Sequence, residues 1–277
     1  MDLAQEIARN VAAALEEDIG GGDLTAALVP AEQIAHARVI AKSDAVVCGA
    51  PWFDAVYRQV DASVSVRWLI EEGQLAGTGM PVCELRGRAR SLLTGERTAL
   101  NFLQTLSATA TKTRRFVDAV AGTRARILDT RKTLPGLRQA LKYAVRCGGG
   151  ANHRMGLYDG ILIKENHIAA AGGIPQVMAA ALEAAGGRPV QIEVETIAQL
   201  NEAIANGAKL ILLDNLDVAG LRDAVKAAAG RAELEASGGI TLDNVREIAE
   251  TGVDRISIGT LTKDIRAADL SMRFLPA

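Results

Sequence analysis

Six short apolar runs in the second half of the chain each end on residues equipped for chemistry. Leu128 leads into Asp129-Thr130-Arg131-Lys132, and Ile163 into Lys164-Glu165-Asn166-His167. Ile192 leads into Glu193-Val194-Glu195, and Leu213 into Asp214-Asn215. Ala236 leads into Ser237-Gly238-Gly239, and Ile258 into Gly259-Thr260. Arg131, Lys132, His153, Arg154 and Lys164 form a cationic set, and guanidinium forks match carboxylates and phosphates in a bidentate manner. Glu193 and Glu195 lie two apart, so on a strand they share a face. With Asp214 from the next run they make a carboxylate cluster suited to Mg²⁺, which takes one or two carboxylates, waters and substrate phosphates. For Glu195 an ion pair with nearby cations is an equal reading. Ser237-Gly238-Gly239 and Gly259-Thr260 are short loops whose backbone amides suit a phosphate, above all where they lead into helices. Glycine at such turns also has a purely steric use. Gly148-Gly149-Gly150 reads as a helix end and a turn that delivers Asn152-His153-Arg154.

These groups reach one place only if the runs are parallel strands. Arg126–Leu128, Gly160–Ile163, Val190–Val194, Leu210–Leu213, Ala232–Ala236 and Arg255–Ile258 alternate with helical patterns. The helical patterns are Leu137–Val145, Ile174–Ala185, Ile197–Asn206, Val218–Ala229 and Leu242–Thr251. The later units recur about every 20 residues, the length of a strand, a helix and two short loops. Parallel strands with right-handed crossovers follow. Six such units predict a small or incomplete α/β barrel, six- or seven-stranded, with a doubly wound open sheet as the alternative. In a barrel all six run ends project at the C-terminal mouth, where such enzymes keep their active sites.

Before about residue 107 the pattern differs. Leu3, Ile7, Val11 and Leu15 recur at helical spacing, Gly20 to Asp23 forms a loop, and β-like runs cover Ala35–Ala41, Val64–Ile70 and Val82–Leu85. A helix is expected from Ser91 to about Leu106. The domains expected are therefore an N-terminal α+β domain over 1–107, joined by the tail from about 266 to 277, and a barrel over 108–265.

Composition limits the classes. The hydrophobic fraction of 49% and charged fraction of 23% are those of a folded globular protein. Nine aromatic residues are too few for a platform that stacks single-stranded bases, and a net charge of −2 draws in neither nucleic acid nor an anionic membrane. The average conceals an asymmetry: residues 112–154 carry eleven Lys/Arg against two Asp, a net of +9. Several of these cations sit in Gly- and Pro-punctuated loops, which points to a pocket for a small polyanion. No run is long enough to span a bilayer and no basic leader precedes an apolar stretch, so a cytoplasmic protein is expected. Cys48, Cys83 and Cys147 have the spacing of neither a zinc site nor a disulfide framework.

The motifs, taken in order, resemble those of the quinolinate phosphoribosyltransferases. They are Glu17-Asp18-Ile19-Gly20 with Gly22-Asp23, Glu96 through Asn101, Asp129 through Thr133 with Pro135-Gly136, Lys142 through Arg146, and Gly148-Gly149-Gly150. They continue through Asn152-His153-Arg154, Lys164 through His167, Leu213-Asp214-Asn215, Ser237-Gly238-Gly239 and Ser257-Ile258-Gly259. Leu106-Ser107-Ala108-Thr109-Ala110-Thr111 departs from the usual Leu-Ser-Gly-Ile-Ala-Thr, and Lys263 stands where His is usual; neither is in the site set. The resemblance implies transfer of phosphoribosyl from phosphoribosyl pyrophosphate to quinolinate with decarboxylation. The products are nicotinate mononucleotide, pyrophosphate and CO₂, a step of NAD biosynthesis that uses Mg²⁺. It implies a homodimer in which Arg97 reaches the partner's site. Arg131, His153, Arg154 and Lys164 would hold the two carboxylates of quinolinate, with Lys132 beside the phosphoribosyl pyrophosphate and Thr130 among the substrate-binding residues. Glu193 and Asp214 would face the ribose and Mg²⁺–pyrophosphate, directly or through substrate and water, with Lys132 and Lys164 as the other catalytic residues. Ser237, Gly238, Gly239 and Ile258, Gly259, Thr260 would take the 5′-phosphate. The roles of Glu195 and Lys142 stay open. Two further readings remain: a barrel lyase with Lys164 as Schiff-base nucleophile, and a non-catalytic sensor of a phosphorylated metabolite.

Overall fold

The computed structural model describes residues 2–276; Met1 and Ala277, the outer ends of the expected domain spans, lie outside the described residues. In chain order the first elements are α1 (Leu3–Ile19), a 3₁₀ turn (Ala26–Leu28), β1 (Ile34–Ala41), β2 (Ala45–Val46), α2 (Ala50–Val60), β3 (Ser65–Trp68), β4 (Leu75–Ala76), β5 (Pro81–Arg88) and α3 (Ala89–Ala119). There follow β6 (Arg126–Leu128), α4 (Arg138–Cys147), β7 (Ile161–Ile163), α5 (Glu165–Ala171), α6 (Ile174–Ala184), β8 (Val190–Val194) and α7 (Ile197–Ala205). The last are β9 (Leu210–Asp214), α8 (Val218–Ala228), β10 (Glu233–Ser237), α9 (Val245–Ala249), β11 (Arg255–Ser257), α10 (Thr260–Lys263) and β12 (Leu270–Phe274).

The chain forms two compact units. The first contains residues 1–114, 133–149 and 261–277; the second contains 115–132 and 150–260. Segment 133–149, with α4, thus belongs to the first unit, whereas the sequence reading places it in the barrel half.

The first unit is built on an antiparallel sheet ordered β12-β1-β5-β3. β12 enters it beside β1, from Ala37 opposite Phe274 to Ala41 opposite Leu270. Alternate residues of β1, Ala35, Ala37, Val39 and Ala41, are buried, as a half-covered strand requires. Trp52, Phe53 and Tyr57 of α2 and Leu92, Leu100 and Leu103 of α3 fill the core. Gly95 is needed on α3, because a Cβ there would lie 2.8 Å from the Tyr57 ring. No helix was expected at α2: aromatic and β-branched residues weaken its signal, and Pro51 reads as a breaker. In the first turn a proline costs no hydrogen bond.

Helix α3 runs past the expected stop near Leu106. The stretch of Ser and Thr that weakens its propensity is held by its own hydroxyls, which donate to the carbonyl four residues back. Thr111 donates to Ser107 at 2.6 Å and Thr113 to Thr109 at 2.8 Å.

The second unit is a parallel sheet ordered β6-β11-β10-β9-β8-β7. Each of β7 to β10 lies beside its successor, and the first strand, β6, pairs with the last, β11. This is the strand order of a barrel with one seam left open, between β6 and β7. At that seam Ala151 makes a single parallel bridge to Leu128. The architecture is α/β: an incomplete barrel of six strands with a separate N-terminal α+β unit. Among the described residues no helix is long and apolar enough to cross a membrane.

Candidate active site

The strand pairing places residues of neighbouring strands on a common face. Ser237 pairs with Asp214 on one side and with Ser257 on the other, and Glu193 pairs with Leu212. The sequence-predicted residues of β8, β9 and β10 therefore lie side by side at the C-terminal ends.

The first loop of the second unit is anchored by Asp129, which is fully buried. Its carboxylate accepts from Asn152 Nδ2 at 2.5 Å and from the His153 backbone N–H at 2.9 Å. One buried acid thus ties the loop after β6 to the loop carrying His153 and Arg154. Lys132 donates its backbone N–H to Thr130 Oγ1 at 3.0 Å, which curls this loop. Gly259 packs against it: a Cβ at Gly259 would meet Lys132 Cδ at 3.1 Å and Thr130 Oγ1 at 3.6 Å. The Ile258 N–H donates to the Leu128 carbonyl at 2.9 Å. Thr130, Lys132 and Ile258–Thr260 are thereby brought together.

Arg154 is half-buried and donates through Nη1 to the Gly160 carbonyl at 3.0 Å. Burial, followed by the neighbouring Arg131 charge, pushes its pKa below that of a free arginine, and Asp159 opposes the shift. Two guanidiniums held close enough to repel each other favour an anion bound between them.

Lys164 Nζ lies 3.1 Å from Glu193 Oε2. A Schiff-base nucleophile is desolvated and free to attack, whereas Lys164 is held by Glu193 with its side chain 47% exposed, so the geometry disfavours the lyase reading. Asp214 accepts from Asn215 Nδ2 at 2.9 Å. Asn215 adopts φ 54°, and its backbone N–H donates to the Ser237 carbonyl at 3.0 Å. Gly238, at φ 103°, makes room for it, since a Cβ there would sit 2.1 Å from Asn215 Oδ1.

The phosphate-type loops differ from expectation in one respect. After Gly239 the chain turns through Thr241, whose N–H donates to Asn244 Oδ1, and α9 begins only at Val245 and is five residues long. Any amides offered after β10 come from the turn itself rather than from a helix N-terminus. Thr196 caps the next helix, its hydroxyl accepting from the Gln199 N–H at 3.2 Å, and the Glu195 backbone N–H donates to Gln199 Oε1 at 2.9 Å. Lys142 is wholly buried on α4, within the first unit. Arg97 is exposed on α3, also in the first unit.

Glu193 and Asp214 offer hard oxygen donors on neighbouring strands, which fits a Mg²⁺ that takes its remaining ligands from water and phosphate. The three-donor group that the structure does assemble, Cys48, Glu72 and Cys147 in the first unit, is of another kind. Its Glu72 oxygens are already occupied by the N–H groups of Gly49 and Ala50 and by the Tyr143 hydroxyl.

Sequence reasoning passed over Gln191 and Glu235. Both are buried, and they lie two residues before Glu193 and Ser237 on their strands. Extending the period of two backwards from each strand end would have pointed at them.

Comparison with known proteins agrees with the motifs. The family "Quinolinate phosphoribosyl transferase, C-terminal domain" matches residues 109–273, and its N-terminal domain matches residues 23–107. A probable nicotinate-nucleotide pyrophosphorylase (carboxylating) of Bacillus subtilis is 44% identical, covering 92% of this chain and 89% of that protein. The nicotinate-nucleotide pyrophosphorylase (carboxylating) of Mycobacterium leprae is 41% identical over 98% of this chain and 97% of its own. The solved structure of the nicotinate-nucleotide pyrophosphorylase from Francisella tularensis superposes with a TM-score of 0.97 at 42% identity, covering 99% of this chain and 98% of that one.

Proposed function

The chain belongs to the quinolinate phosphoribosyltransferase family, and from that premise we propose that it joins quinolinate to phosphoribosyl pyrophosphate, releasing pyrophosphate and CO₂ and yielding nicotinate mononucleotide for NAD biosynthesis. The observation that carries this reading is the meeting, at one set of strand ends, of neighbouring guanidiniums with Glu193, which Lys164 pairs, and Asp214 on the next strand. Quinolinate is a dianion with adjacent carboxylates. Arg131 and Arg154 supply two forks for it, and Lys164 adds a third cation. The closeness of Arg154 to Arg131 is a cost in the empty site that a bound dianion relieves.

The chemistry then needs orientation and charge. The bond from C1′ of the ribose to pyrophosphate breaks, and positive charge develops on the sugar. Asp214 and Glu193 face that charge. Lys132, curled against the Gly259 loop, offers its ammonium to the departing pyrophosphate. The pyridine nitrogen, aimed by the arginine clamp, forms the new bond to C1′. The ring nitrogen, now positive, accepts the electrons left when the 2-carboxylate departs as CO₂, and a proton takes the vacated carbon. Glu193 and Asp214 would hold Mg²⁺, directly or through water and substrate; when bound it neutralises pyrophosphate charge. The loops at Ser237–Gly239 and Ile258–Thr260 receive the 5′-phosphate through backbone amides. His153 belongs to the cationic side, where its own hydrogen bonds define its part.

We read the active form as a homodimer with Arg97, exposed on α3, contributed to the partner's site. The compartment is taken to be the cytoplasm, in keeping with three free cysteines. One incubation tests the reaction: purified protein with Mg²⁺, phosphoribosyl pyrophosphate and either quinolinate or nicotinate, followed for nucleotide and CO₂ together. Both products from quinolinate and none from nicotinate are expected. Nucleotide from nicotinate alone would reject the decarboxylating reading, and no product from either would leave only a binding protein. Shared sites are tested by mixing Arg97→Ala with Lys164→Ala chains under proven subunit exchange. Hybrid dimers should regain part of the activity, and no rescue would contradict the shared site.

A further inference from the structure

We propose that Gln191 and Glu235 are positioning residues of this site, and that through them His153 acts as a strut for Arg154 rather than as a ligand of the substrate carboxylates. The inference starts from a line of hydrogen bonds. The Arg154 backbone N–H donates to His153 Nδ1 at 2.8 Å. His153 Nε2 lies 2.8 Å from Gln191 Oε1. Gln191 Nε2 donates to Glu235 Oε2 at 3.0 Å. The line runs from the loop after Ala151, across β8, to β10.

Its polarity has no freedom. A backbone N–H can only donate, so Nδ1 of His153 carries a lone pair and Nε2 carries the proton. At the other end Glu235 Oε2 accepts from Gln191 Nε2, so the Gln191 oxygen is the atom turned to His153. Rotating the Gln191 amide by half a turn would set its NH₂ against the His153 N–H and its oxygen against the Glu235 oxygen. The backbone donor at one end and the accepting oxygen at the other thus select one imidazole tautomer and one amide orientation.

Burial shows that the arrangement is not a surface accident. Glu235 is 1% exposed and Gln191 4%. Glu235 makes no ion pair with Arg255, its in-register neighbour on β11; Arg255 pairs with Glu233 instead. His153 Nε2 stands 3.7 Å from Glu235 Oε2, and Glu235 Oε1 has no hydrogen-bond partner among the described residues. A buried carboxylate with an idle oxygen is a poor device for stability, because desolvation of the charge is incompletely offset. Its one directed task is to orient Gln191.

The consequence lies in what His153 can do. Both ring nitrogens are engaged by the protein, one by the Arg154 main chain and one by Gln191. The ring therefore fixes the backbone at Arg154, while Asp129 fixes it at His153. That leaves the Arg154 guanidinium, held by Gly160, as the group presented to substrate.

The kinetic part of this inference rests on the quinolinate reading above; the tautomer does not, so the two fail separately. The first measurement is nitrogen NMR of the wild-type dimer labelled in histidine, near neutral pH and without substrates. The chain has three histidines, so His36→Gln and His167→Gln variants assign the His153 signals. His153 should show an unprotonated Nδ1 and a protonated Nε2. A protonated Nδ1, in either the other tautomer or the imidazolium, overturns the proposal whatever the enzyme does.

The second measurement is steady-state kinetics of Glu235→Gln and Gln191→Leu. An amide at 235 can donate as well as accept, and the leucine breaks the line outright. Both should raise KM for quinolinate about 10-fold or more, with KM for phosphoribosyl pyrophosphate within about twofold of wild type and kcat less affected. Unchanged quinolinate KM in folded variants, or equal loss on both substrates, overturns the positioning role. If neither variant folds, the wild-type tautomer decides alone.

Discussion

Two half-buried or buried carboxylates, one in each unit, are treated in opposite ways. Glu72 of the N-terminal unit is saturated. Its Oε1 accepts from the N–H groups of Gly49 and Ala50, at 2.5 and 3.0 Å, and so caps α2, while its Oε2 accepts from the Tyr143 hydroxyl. Glu6 of α1, also buried, is gripped by Arg9 through both oxygens and touched by Asn10. In the second unit Glu235 keeps an idle oxygen, and Arg154 sits beside another arginine. Glu72 and Glu6 are completed by partners within the fold, whereas Arg154 beside Arg131 carries a charge that a bound anion would offset. That like-charge pair, rather than the number of polar residues, marks the site.

That contrast can be broken most sharply at Arg154. Replacing it with Ala removes a fork proposed to hold quinolinate and relieves like-charge repulsion with Arg131. The expectation is a loss of about 10²-fold or more in kcat/KM for quinolinate, with an unchanged or slightly raised melting temperature. A variant that melts well below wild type while keeping its kinetics would invert the assignment.

Gly238→Ala comes next. The added Cβ would lie 2.1 Å from Asn215 Oδ1 in a backbone region that disfavours side chains, so the turn after β10 must move. Asn215 and with it Asp214 would shift. KM for phosphoribosyl pyrophosphate should rise about 10-fold, more than that for quinolinate, with a stability loss of about 1–3 kcal/mol. Equal effects on both substrates would argue against the loop's place on the phosphate side.

Glu72→Ala is the counterpart in the scaffold. It leaves the Gly49 N–H and the Tyr143 hydroxyl without their acceptor, at a cost of about 1–3 kcal/mol. The midpoint of thermal unfolding should fall by several degrees, while kcat per folded molecule stays at the wild-type value. A lost kcat in a well-folded Glu72→Ala protein would mean that the N-terminal cluster is coupled to the chemistry.

Legibility in the sequence followed the same division. The strand ends were readable because an apolar run that stops on Lys164, Glu193 or Asp214 announces both a strand and its polar tip. The buried pair behind His153 was not, because Gln191 and Glu235 lie inside the runs, where a polar residue reads as noise until pairing shows which face it shares. Helix α2 was hidden by Pro51 and its aromatic residues, and the second half of α3 by a Ser/Thr stretch. There local propensity is overridden by hydroxyl back-bonds and by packing on Tyr57. Cys48 and Cys147, distant in the sequence, meet in the first unit, where burial pushes the Cys48 thiol pKa up. Spacing carries no signal for a contact between the turn before α2 and the last residue of α4. The seam at Ala151 was hidden for another reason: a bridge of one residue has no periodicity to read.

The smallest effect expected is a titration in the scaffold. Asp61 ends α2 and accepts from the Ser63 hydroxyl at 2.6 Å, the Ser63 N–H at 2.9 Å and the Ser91 hydroxyl at 2.8 Å. These bonds, led by the Ser63 hydroxyl, hold its pKa at about 2, below the ordinary aspartate value of about 3.9. A carboxylate depressed in the folded state adds stability that is fully present above its unfolded pKa and is lost as pH falls towards the folded one. Asp61→Asn should therefore lower the urea midpoint slightly at pH 6, and the gap to wild type should close between about pH 4 and pH 2. Nothing in the substrate kinetics should change. If the gap persists undiminished at pH 2, the aspartate acts through shape rather than charge. If instead the pH profile of catalysis moves, the N-terminal unit's carboxylates are not confined to holding the fold.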